Sequence, residues 1–510
     1  MILSPIRRVI FFLLLDIACS GRLFWRFKDR VHRLREQRGK QHFLMRALSK
    51  SGHVARPKEG FIHQPLDHFD GENTETFSQK FYVNDFYWDR PEGPVFLYIG
   101  GEGPMSETSV LAGHHVEMAE EFGALLVALE HRFYGDSINP DGLEVENLVY
   151  LSSQQALADL TTFHRHISQQ YDLSHKNTWI SFGGSYAGAL SAWLRGKFPH
   201  LIFGAVASSA PVRAKLDFSS YNKMVGLSLM DESVGGSNKC AGNVWEAFAA
   251  VEAALFAGNT TEVGKDFDCC ETPDSDDDQI ELMQSLADVV IGIVQYNEEG
   301  GPLSISQLCD IMTNKSESYD EELEAYDRLI KVVEIYQDSE DTPCLDASHE
   351  QTIEELSNTT VTKTGSSRQW YYQTCTEFGF YQTCEDASCP FSRMLTLQSQ
   401  TELCPQVFDI PTHTLPERIA FTNHYYGGNR PETHHVLYVN GKIDPWQELS
   451  VLHNGTAMDR DRALLIPDTA HCADMNPAKA EDRPTLQHAR EHIKRHVAIW
   501  LKEAAWNHMI

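Results

Sequence analysis

The stretch TWISFGGSYAG, residues 178–188, places a serine on a tight turn between a predicted strand and a predicted helix. The run before the turn is rich in aromatic and β-branched residues, as buried strands are, and helical character begins at Tyr186. The preceding glycines let Ser185 adopt a strained backbone conformation with its hydroxyl exposed, which is the arrangement of a nucleophile elbow. The usual elbow pattern is G-x-S-x-G, and Ala187 is a small residue in its last place. Glycine-rich turns between a strand and a helix also bind phosphate, so a phosphate-binding site is the alternative to a nucleophile elbow when the turn is considered alone.

Strands and helices alternate on both sides of this turn. Short apolar runs predict strands at 94–99, 124–129, 178–182, 203–208, 436–439 and 463–466. Helical spacing of apolar residues predicts helices at 110–122, 153–171, 186–198 and about 485–504. Such alternation predicts an α/β protein with a mostly parallel sheet and helices on both faces.

Two later turns supply partners for the serine. Asp444 and His471 each lie just past the carboxyl end of one of the last two predicted strands. An α/β-hydrolase carries its triad in the order serine, acid, histidine, and open α/β sheets place their sites at the carboxyl ends of strands. We therefore predict an α/β-hydrolase fold with Ser185 as nucleophile, His471 as general base and Asp444 as the acid that orients the imidazole. Asp468 is a competing acid on the same turn as the histidine.

An oxyanion hole needs two backbone N–H donors. The first is expected from Tyr186, the residue after the nucleophile. The second is expected from Gly101, in the glycine-rich segment 100–103 that follows the predicted strand at 94–99.

The middle of the chain interrupts the alternation. Residues 214–365 contain helical stretches, near 243–257, 278–297 and 320–337, and no clear strand. We interpret this block as a helical cap inserted between two parts of an α/β-hydrolase core, residues 61–213 and 366–510. A block inserted after the strand at 203–208 emerges above Ser185, where it would limit access to the serine.

Aromatic residues are concentrated just after the cap. We expect them to line an apolar substrate pocket, and packing of the cap onto the core is the alternative. The residues are Trp370, Tyr371, Tyr372, Phe378, Phe380 and Tyr381.

The amino terminus has the pattern of a secretory signal. Residues 1–20 combine two arginines, a short apolar core and small residues before Gly21. Asp16 shortens that core, so a retained signal anchor is an alternative. Residues 21–60 carry twelve Lys or Arg against three Asp or Glu, a net charge of +9. This basic segment is interpreted as a solvated helix or a removable propeptide, with contact to an acidic surface as a further alternative.

The composition narrows the classes of function. The chain has 510 residues and a formal net charge of −29, of which residues 61–510 carry −39. A main role in nucleic-acid binding needs a positive face and is therefore not expected. No apolar run approaches the length of a membrane-spanning helix, so we expect no membrane association after signal removal. The absence of CxxC and HExxH motifs argues against a metal, and the predicted mechanism requires no cofactor.

Sequons and cysteines agree with a secretory route. Glycosylation sequons occur at Asn259, Asn314, Asn358 and Asn454. Ten cysteines remain after the signal, enough for five disulfides of undetermined pairing. Because Cys472 follows His471, we predict that a disulfide at Cys472 helps to hold the histidine loop.

Five long segments carry a resemblance to a known family: 129–137 (LEHRFYGDS), 182–212, 369–384 (QWYYQTCTEFGFYQTC), 439–446 (VNGKIDPW) and 469–475 (TAHCADM). They resemble the serine peptidases that include lysosomal prolyl carboxypeptidase and dipeptidyl peptidase II. The resemblance covers about 60–505 and implies a capped α/β-hydrolase with its triad on Ser185, Asp444 and His471. It also implies endosomal or lysosomal residence, glycosylation, frequent dimers and peptide processing, including for antigen presentation.

The resemblance leaves the substrate open. Proline-directed members hold a proline ring in an aromatic pocket, and dipeptidyl members need an acid for the free amino terminus. Glu377 lies near the aromatic cluster without being an obvious anchor. Carboxypeptidase, dipeptidyl and broader peptidase activities therefore remain, with a lipase or esterase, or a catalytically silent binding protein, as rival classes. Glu130, His131 and Arg132 resemble a structural signature of the family and are interpreted as a buried ion-pair network.

Overall fold

The computed structural model describes residues 23–49, 56–313, 324–340, 343–362, 365–454 and 462–507. The predicted signal at 1–20 and the sequon at Asn314 lie outside these residues. Among the described helices, none has both the length and the apolar character needed to cross a membrane.

Eight strands form one twisted sheet in the order β1-β2-β4-β3-β5-β6-β9-β10. β1 and β2, and β2 and β4, pair antiparallel, whereas every other pair in this sheet is parallel. The strands, including a separate pair β7 and β8, are β1 Lys58–Pro65, β2 Thr76–Asn84, β3 Val95–Ile99, β4 Leu125–Leu129, β5 Trp179–Gly184, β6 Gly204–Ser208, β7 Lys215–Asp217, β8 Gly379–Tyr381, β9 Val436–Gly441 and β10 Ala463–Ile466. The six predicted strands are all present, and the α/β-hydrolase fold is confirmed.

Seventeen α-helices occur among the described residues. They are α1 Leu23–Ser49, α2 His114–Phe122, α3 Val145–Leu148, α4 Ser153–Gln170, α5 Tyr186–Lys197, α6 Ser219–Met230, α7 Asn238–Phe256, α8 Thr260–Asp266, α9 Asp276–Gln295, α10 Ile305–Thr313, α11 Ala325–Glu340, α12 His349–Ser357, α13 Ser367–Gln373, α14 Leu397–Thr401, α15 Leu403–Phe408, α16 Leu415–Tyr426 and α17 Pro484–Asn507. A π-helical turn, Thr374–Phe378, continues α13, and 3₁₀ turns occupy Glu107–Val110, Glu232–Val234, Thr412–Thr414, Pro445–Leu449 and Ala473–Met475.

Helices cover both faces of the sheet because the strand side chains alternate between two apolar cores. Leu97 of β3 packs in the core that contains α4 and α5. Its neighbour Phe96 packs in the opposite core, with residues of α2 and α17. The central strands are therefore buried on both sides, which explains why they read as continuous apolar runs in the sequence.

The two antiparallel strands, β1 and β2, were not predicted. Their inward positions include polar residues, which breaks the alternation that identifies a half-buried strand. Gln64 and Gln79 are almost fully buried, and their side-chain amides donate to the carbonyl oxygens of Asp159 and Glu130.

The sheet is interrupted by a long inserted region, since β6 and its neighbour β9 are separated by residues 209–435. Helices dominate this region, and α9 is buried along most of its length from Glu281 to Gln295. The expectation of no strand in 214–365 is wrong in one detail, because β7 lies there and pairs in parallel with β8. β7 has only three residues and is half-buried, so no apolar run marks it in the sequence. The domain boundaries predicted at 213/214 and 365/366 remain predictions.

Four disulfides connect eight of the cysteines. Cys240–Cys309 and Cys270–Cys344 close long loops within the inserted region. Cys375–Cys404 and Cys384–Cys389 lie in the segment that returns to the sheet.

The basic segment forms the long helix α1, which is not a solvated helix. Phe27 is 0% exposed and Val31 is 1% exposed, and both belong to the large core. α1 also contacts the acidic residues Glu102 and Glu299 of its own chain, and the interpretation of the segment as a removable propeptide remains a prediction.

A buried ion pair joins the antiparallel edge of the sheet to α4. The Arg132 guanidinium donates to both carboxylate oxygens of Asp159, at 2.6 and 2.7 Å. Its remaining N–H groups donate to the carbonyls of Pro65, Leu66 and Tyr150. Arg132 and Asp159 are 0% exposed, so each charge depends on the other for its stabilisation. Glu130 and His131 form hydrogen bonds instead of completing an ion-pair network.

Arg132→Ala should destabilise the protein strongly, because it leaves the buried Asp159 carboxylate without its bidentate guanidinium partner and with His68 as its remaining ionic contact. Breaking such a pair costs about 3–5 kcal/mol of unfolding free energy. Lys176→Ala removes an exposed ion pair with Glu92 and should cost less than about 1 kcal/mol. Urea denaturation of both variants checks the difference, and equal midpoints for the two would contradict a stabilising role for Arg132.

Candidate active site

Ser185 stands at the junction of β5 and α5 in a conformation that L-residues rarely adopt. Its φ is 58° and its ψ is −131°, and such strain persists only where the surroundings enforce it. The surroundings are tight: a Cβ on Gly183 would lie 2.1 Å from the carbonyl oxygen of Ala187, and one on Gly188 would lie 2.7 Å from that of Ser208. Ala187 itself is buried without distortion of the helix, so alanine fits the position where the usual pattern has glycine.

Asp444 and His471 meet directly. His471 Nδ1 donates to Asp444 Oδ2 at 2.9 Å, and both side chains are buried. The other carboxylate oxygen of Asp444 accepts the backbone N–H of Trp446 at 3.0 Å. These bonds fix the orientation of the imidazole and leave Nε2 for a proton from a nucleophile.

Asp468, the competing acid, has a different role. Its carboxylate accepts a hydrogen bond from Thr485 at 2.7 Å and lies 3.6 Å from Arg483. These contacts hold the start of α17, so Asp444 is the acid that contacts the histidine.

The protonated form of His471 is favoured by its neighbours. Burial alone lowers the pKa of His471, but the Asp444 carboxylate and the adjacent Cys472 outweigh burial and raise the pKa above its ordinary value. An imidazole in this setting is stabilised as the imidazolium that forms when it accepts a proton.

Gln295, at the end of α9, ties the inserted region to the histidine loop. Its backbone carbonyl accepts the N–H of His471 at 3.0 Å. Its side-chain oxygen accepts from the Trp446 indole at 2.8 Å and from the hydroxyl of Tyr221. Gln295 therefore contacts the loops of both the acid and the base, a role that no sequence pattern indicated.

The proposed oxyanion donors lie beside the serine. Tyr186 is the first residue of α5, and Gly101 approaches the same helix end, since a Cβ on Gly101 would lie 3.4 Å from the Cβ of Ala187. The Tyr186 hydroxyl points away into a buried network with His131 at 3.0 Å and Gln373 at 3.1 Å.

Ser185 and His471 line the same cavity, which has a volume of about 260 Å³. Gly101 and Glu102 form part of its wall, and α1 contributes another part through Lys28 and Arg35. No hydrogen bond joins Ser185 Oγ to His471 within the described part of the chain, and catalytic hydrogen bonds often form only with substrate bound.

A second cavity of about 110 Å³, here called the aromatic cavity, also reaches Ser185 and is lined by aromatic and polar residues. Trp370, Tyr371, Phe380 and Tyr381 from the predicted cluster line it, together with Trp446. Asp288 and Gln284 of α9 also line this cavity and are joined by a 2.8 Å hydrogen bond.

The other predicted pocket residues lie elsewhere. Phe378 packs against Tyr186 and Trp193, with ring centroids 5.3 and 6.1 Å apart. Tyr372 packs edge-on against Phe408. Phe378 therefore packs the inserted region onto α5 of the core, whereas Tyr372 packs against another residue of the inserted region.

The Glu377 carboxylate is also hydrogen-bonded to other residues inside the protein. Its carboxylate accepts the backbone N–H and the hydroxyl of Ser153, at 2.9 and 2.6 Å, and the side-chain amide of Gln373 at 3.0 Å. Burial raises the pKa of Glu377. The acids that line the cavities are Glu102, Asp288 and, on α1, Asp29 and Glu36. Of these, Glu102 lies in the glycine-rich segment from which the sequence predicted an oxyanion donor.

The asparagines of three sequons are exposed. Asn259, Asn358 and Asn454 are all at the surface, where a glycan can be accommodated.

The predicted disulfide at Cys472 is wrong. Cys472 is a free cysteine and is buried, and Cys269 of the inserted region is also free but only half-buried. The histidine loop is held by other contacts: the backbone N–H of Cys472 donates to Ser209 Oγ at 2.9 Å. The thiol packs under the elbow, where a Cβ on Gly184 would lie 2.9 Å from Cys472 Sγ and 2.4 Å from Met475 Sδ.

Known serine peptidases are similar to this protein over most of its chain. The sequence model of the family described as "Serine carboxypeptidase S28" matches residues 64–493. Thymus-specific serine protease is 43% identical in human over 461 residues, covering 89% of this chain and 88% of the relative. The mouse protein of that name is 44% identical over 457 residues, covering 89% of each chain. Human lysosomal Pro-X carboxypeptidase is 27% identical over 459 residues, covering 87% of this chain and 88% of the relative.

Cys472 should remain a thiol in the purified protein and should be protected by its burial. Iodoacetamide should modify Cys472 only after the unreduced protein is denatured, and Cys269, whose burial raises the pKa of its thiol to about 12, should react slowly despite its partial exposure. Peptide mapping by mass spectrometry checks both sites. A peptide in which Cys472 is cross-linked to another cysteine would contradict the observed arrangement.

Proposed function

The chain belongs to the serine carboxypeptidase S28 family and is a serine-type peptidase, and we propose that it hydrolyses short peptides through an acyl-enzyme formed on Ser185. The observation that carries the proposal is the buried hydrogen bond between His471 and Asp444, on loops that meet the strained serine turn. Membership of a peptidase family favours this function over a lipase, an esterase or a silent binding protein.

In the proposed mechanism His471 Nε2 takes the proton from Ser185 Oγ as the oxygen attacks the peptide carbonyl. The backbone N–H groups of Tyr186 and Gly101 stabilise the oxyanion. His471 then donates the proton to the leaving amine, which departs as the acyl-enzyme forms. In the second half of the reaction His471 activates water, and the acid product is released. Asp444 remains ionised and stabilises the imidazolium at both stages.

The aromatic cavity supports an apolar residue next to the scissile bond. Trp370, Phe380 and Trp446 offer flat apolar surfaces beside Ser185, and a proline ring suits such a site because it is compact and rigid. The cavity is about 110 Å³, room for one side chain rather than a long acyl chain. We therefore infer a preference for short, including proline-containing, peptides.

The inserted region supports an exopeptidase-like mode. Gln295 joins α9 to the histidine loop, and residues 370–382 bring the aromatic wall over the serine. The core, α1 and the inserted region together line the two cavities, so we expect a substrate to enter as a narrow, unfolded segment. Water is also displaced from such a site, which strengthens the interactions of the triad.

The secretory pathway is the proposed location. Four disulfides require an oxidising compartment during folding. The asparagines of three sequons are exposed, and one relative is named a lysosomal enzyme. We place the activity in the endosomal or lysosomal lumen or outside the cell. The most specific role that we propose is the processing of peptides for antigen presentation.

Ser185→Ala should abolish peptide hydrolysis and labelling by a fluorophosphonate probe, because the variant has no nucleophile. The rate should fall to the residual level of a disabled triad, only about 10³–10⁴-fold above the uncatalysed reaction. Ser306→Ala, at an exposed position of α10, is the matched control. Circular dichroism establishes that both variants are folded, and near-normal turnover by Ser185→Ala would refute the assignment.

A short peptide should be cleaved much faster than the same sequence displayed in a surface loop of a folded protein. The reason is that the inserted region leaves room for an extended chain but not for a folded domain. Mass spectrometry of matched digests gives both rates. Equal rates would rule out an occluding cap and the exopeptidase-like mode together.

A further inference from the structure

Helix α1 lies across the cavity that contains Ser185. Val31, Arg35 and Gly39 follow one another along the face of α1 that forms the cavity wall, opposite Gly101 and His471. Trp25 and Lys28, near the start of the helix, also reach the aromatic cavity. A single segment of 27 residues thus borders both of the spaces in which a substrate would bind.

The inserted region provides a socket for α1. Phe27 lies between the rings of Tyr296 and Tyr336, with centroids 5.8 and 6.0 Å away and nearly parallel planes. Two glycines make room for it: a Cβ on Gly292 would lie 2.9 Å from the Phe27 ring, and one on Gly301 would lie 2.6 Å away. A side chain at either glycine would close the socket, so the fit of Phe27 is specific.

Charged side chains hold α1 against the catalytic loops. The Arg35 guanidinium donates to the backbone carbonyl of His471 at 3.0 Å and lies 3.4 Å from the Glu299 carboxylate. Arg38 donates to the backbone carbonyl of Glu299 at 3.0 Å. The helix carries eight Lys or Arg against two Asp or Glu, on a body of strongly opposite charge.

Lys28 of α1 forms an ion pair with Glu102 in the wall of the cavity. Its ammonium lies 2.9 Å from the Glu102 carboxylate, and Glu102 follows the proposed oxyanion donor Gly101. Burial raises the pKa of Glu102, but the nearby Lys28, together with a backbone hydrogen bond and His471, holds the pKa below its ordinary value. Glu102 therefore presents a negative charge beside Ser185, and a segment that precedes the hydrolase core supplies the positive charge.

We propose that α1 is an intramolecular inhibitor of the peptidase site, and that Lys28 occupies on Glu102 the position of a positively charged group of a peptide substrate. The inference rests on the function proposed above. When α1 is displaced, Glu102 loses its lysine partner and can receive an ammonium group from the substrate. The ammonium is either a free amino terminus or a lysine side chain.

The inhibitory role is tested with full-length variants. Phe27→Ala removes the anchor from its socket, and Lys28→Ala removes the ion pair without altering the core. Each should raise kcat/KM for a short fluorogenic peptide by about tenfold or more, the factor that 1.4 kcal/mol of weaker docking gives when only the open form reacts. Arg33→Ala removes an exposed charge of the same helix and should leave kcat/KM unchanged.

The outcomes separate the inference from the function on which it rests. Wild-type rates in both Phe27→Ala and Lys28→Ala, with the variants folded, would overturn the inhibitory role while leaving the peptidase function intact. If neither the wild type nor any variant cleaves peptides, although the fluorophosphonate still labels Ser185, the proposed function itself fails.

The role of Glu102 is tested in the Lys28→Ala background. Glu102→Gln keeps the shape of the side chain and removes its charge. It should lower the preference for a charged over an uncharged peptide by about tenfold, mainly through KM. An amino-terminally acetylated peptide and a peptide with norleucine in place of lysine show which ammonium is recognised. An unchanged preference for both pairs of peptides would overturn the substrate role, because a merely structural glutamate would affect all peptides alike.

Discussion

The structure depends on the backbone of one residue, Ser185, held at a φ of 58° where β5 passes into α5. This conformation requires the strand and the helix to approach more closely than most side chains allow, which accounts for the glycines at 183 and 188. It also requires a hydrogen bond to the neighbouring parallel strand: the N–H of Ser185 donates to the carbonyl of Ser208 at the end of β6. Because β9 and β10 run parallel to these strands, their carboxyl ends bring Asp444 and His471 to the same edge.

Much of the core could be predicted because its strands and helices alternate along the chain and each is marked by a local pattern of apolar residues. The central strands are buried on both faces and therefore stand out as short apolar runs, and the order of serine, acid and histidine follows from the order of the parallel strands. β1 and β2 could not be predicted in this way, because Gln64 and Gln79 satisfy buried backbone carbonyls that are distant in sequence.

The predictions that were wrong or incomplete depend on which distant segments lie close together in the fold, and local sequence patterns do not specify this. An even number of cysteines allowed up to five disulfides, but among the described cysteines Cys269 and Cys472 are free and four disulfides form. The aromatic cluster was found, yet the π-helical turn after α13 sends Phe378 into the core while Phe380 reaches the cavity. The contact of Gln295 with the histidine loop arises from the position of the whole inserted region, which no local pattern reports.

The covalent attachment of α1 to the domain that it covers has a consequence for affinity. A tethered segment meets its socket at an effective concentration of about millimolar, so even modest docking keeps it bound nearly all the time. A single break in the chain between α1 and β1 would remove that advantage, and the same contacts would then have to compete by ordinary bimolecular binding at far lower concentration. The strength of the contacts made by Phe27 and Lys28 therefore need not be great for the helix to stay in place, and it must not be great if the helix is to leave once the chain is cut.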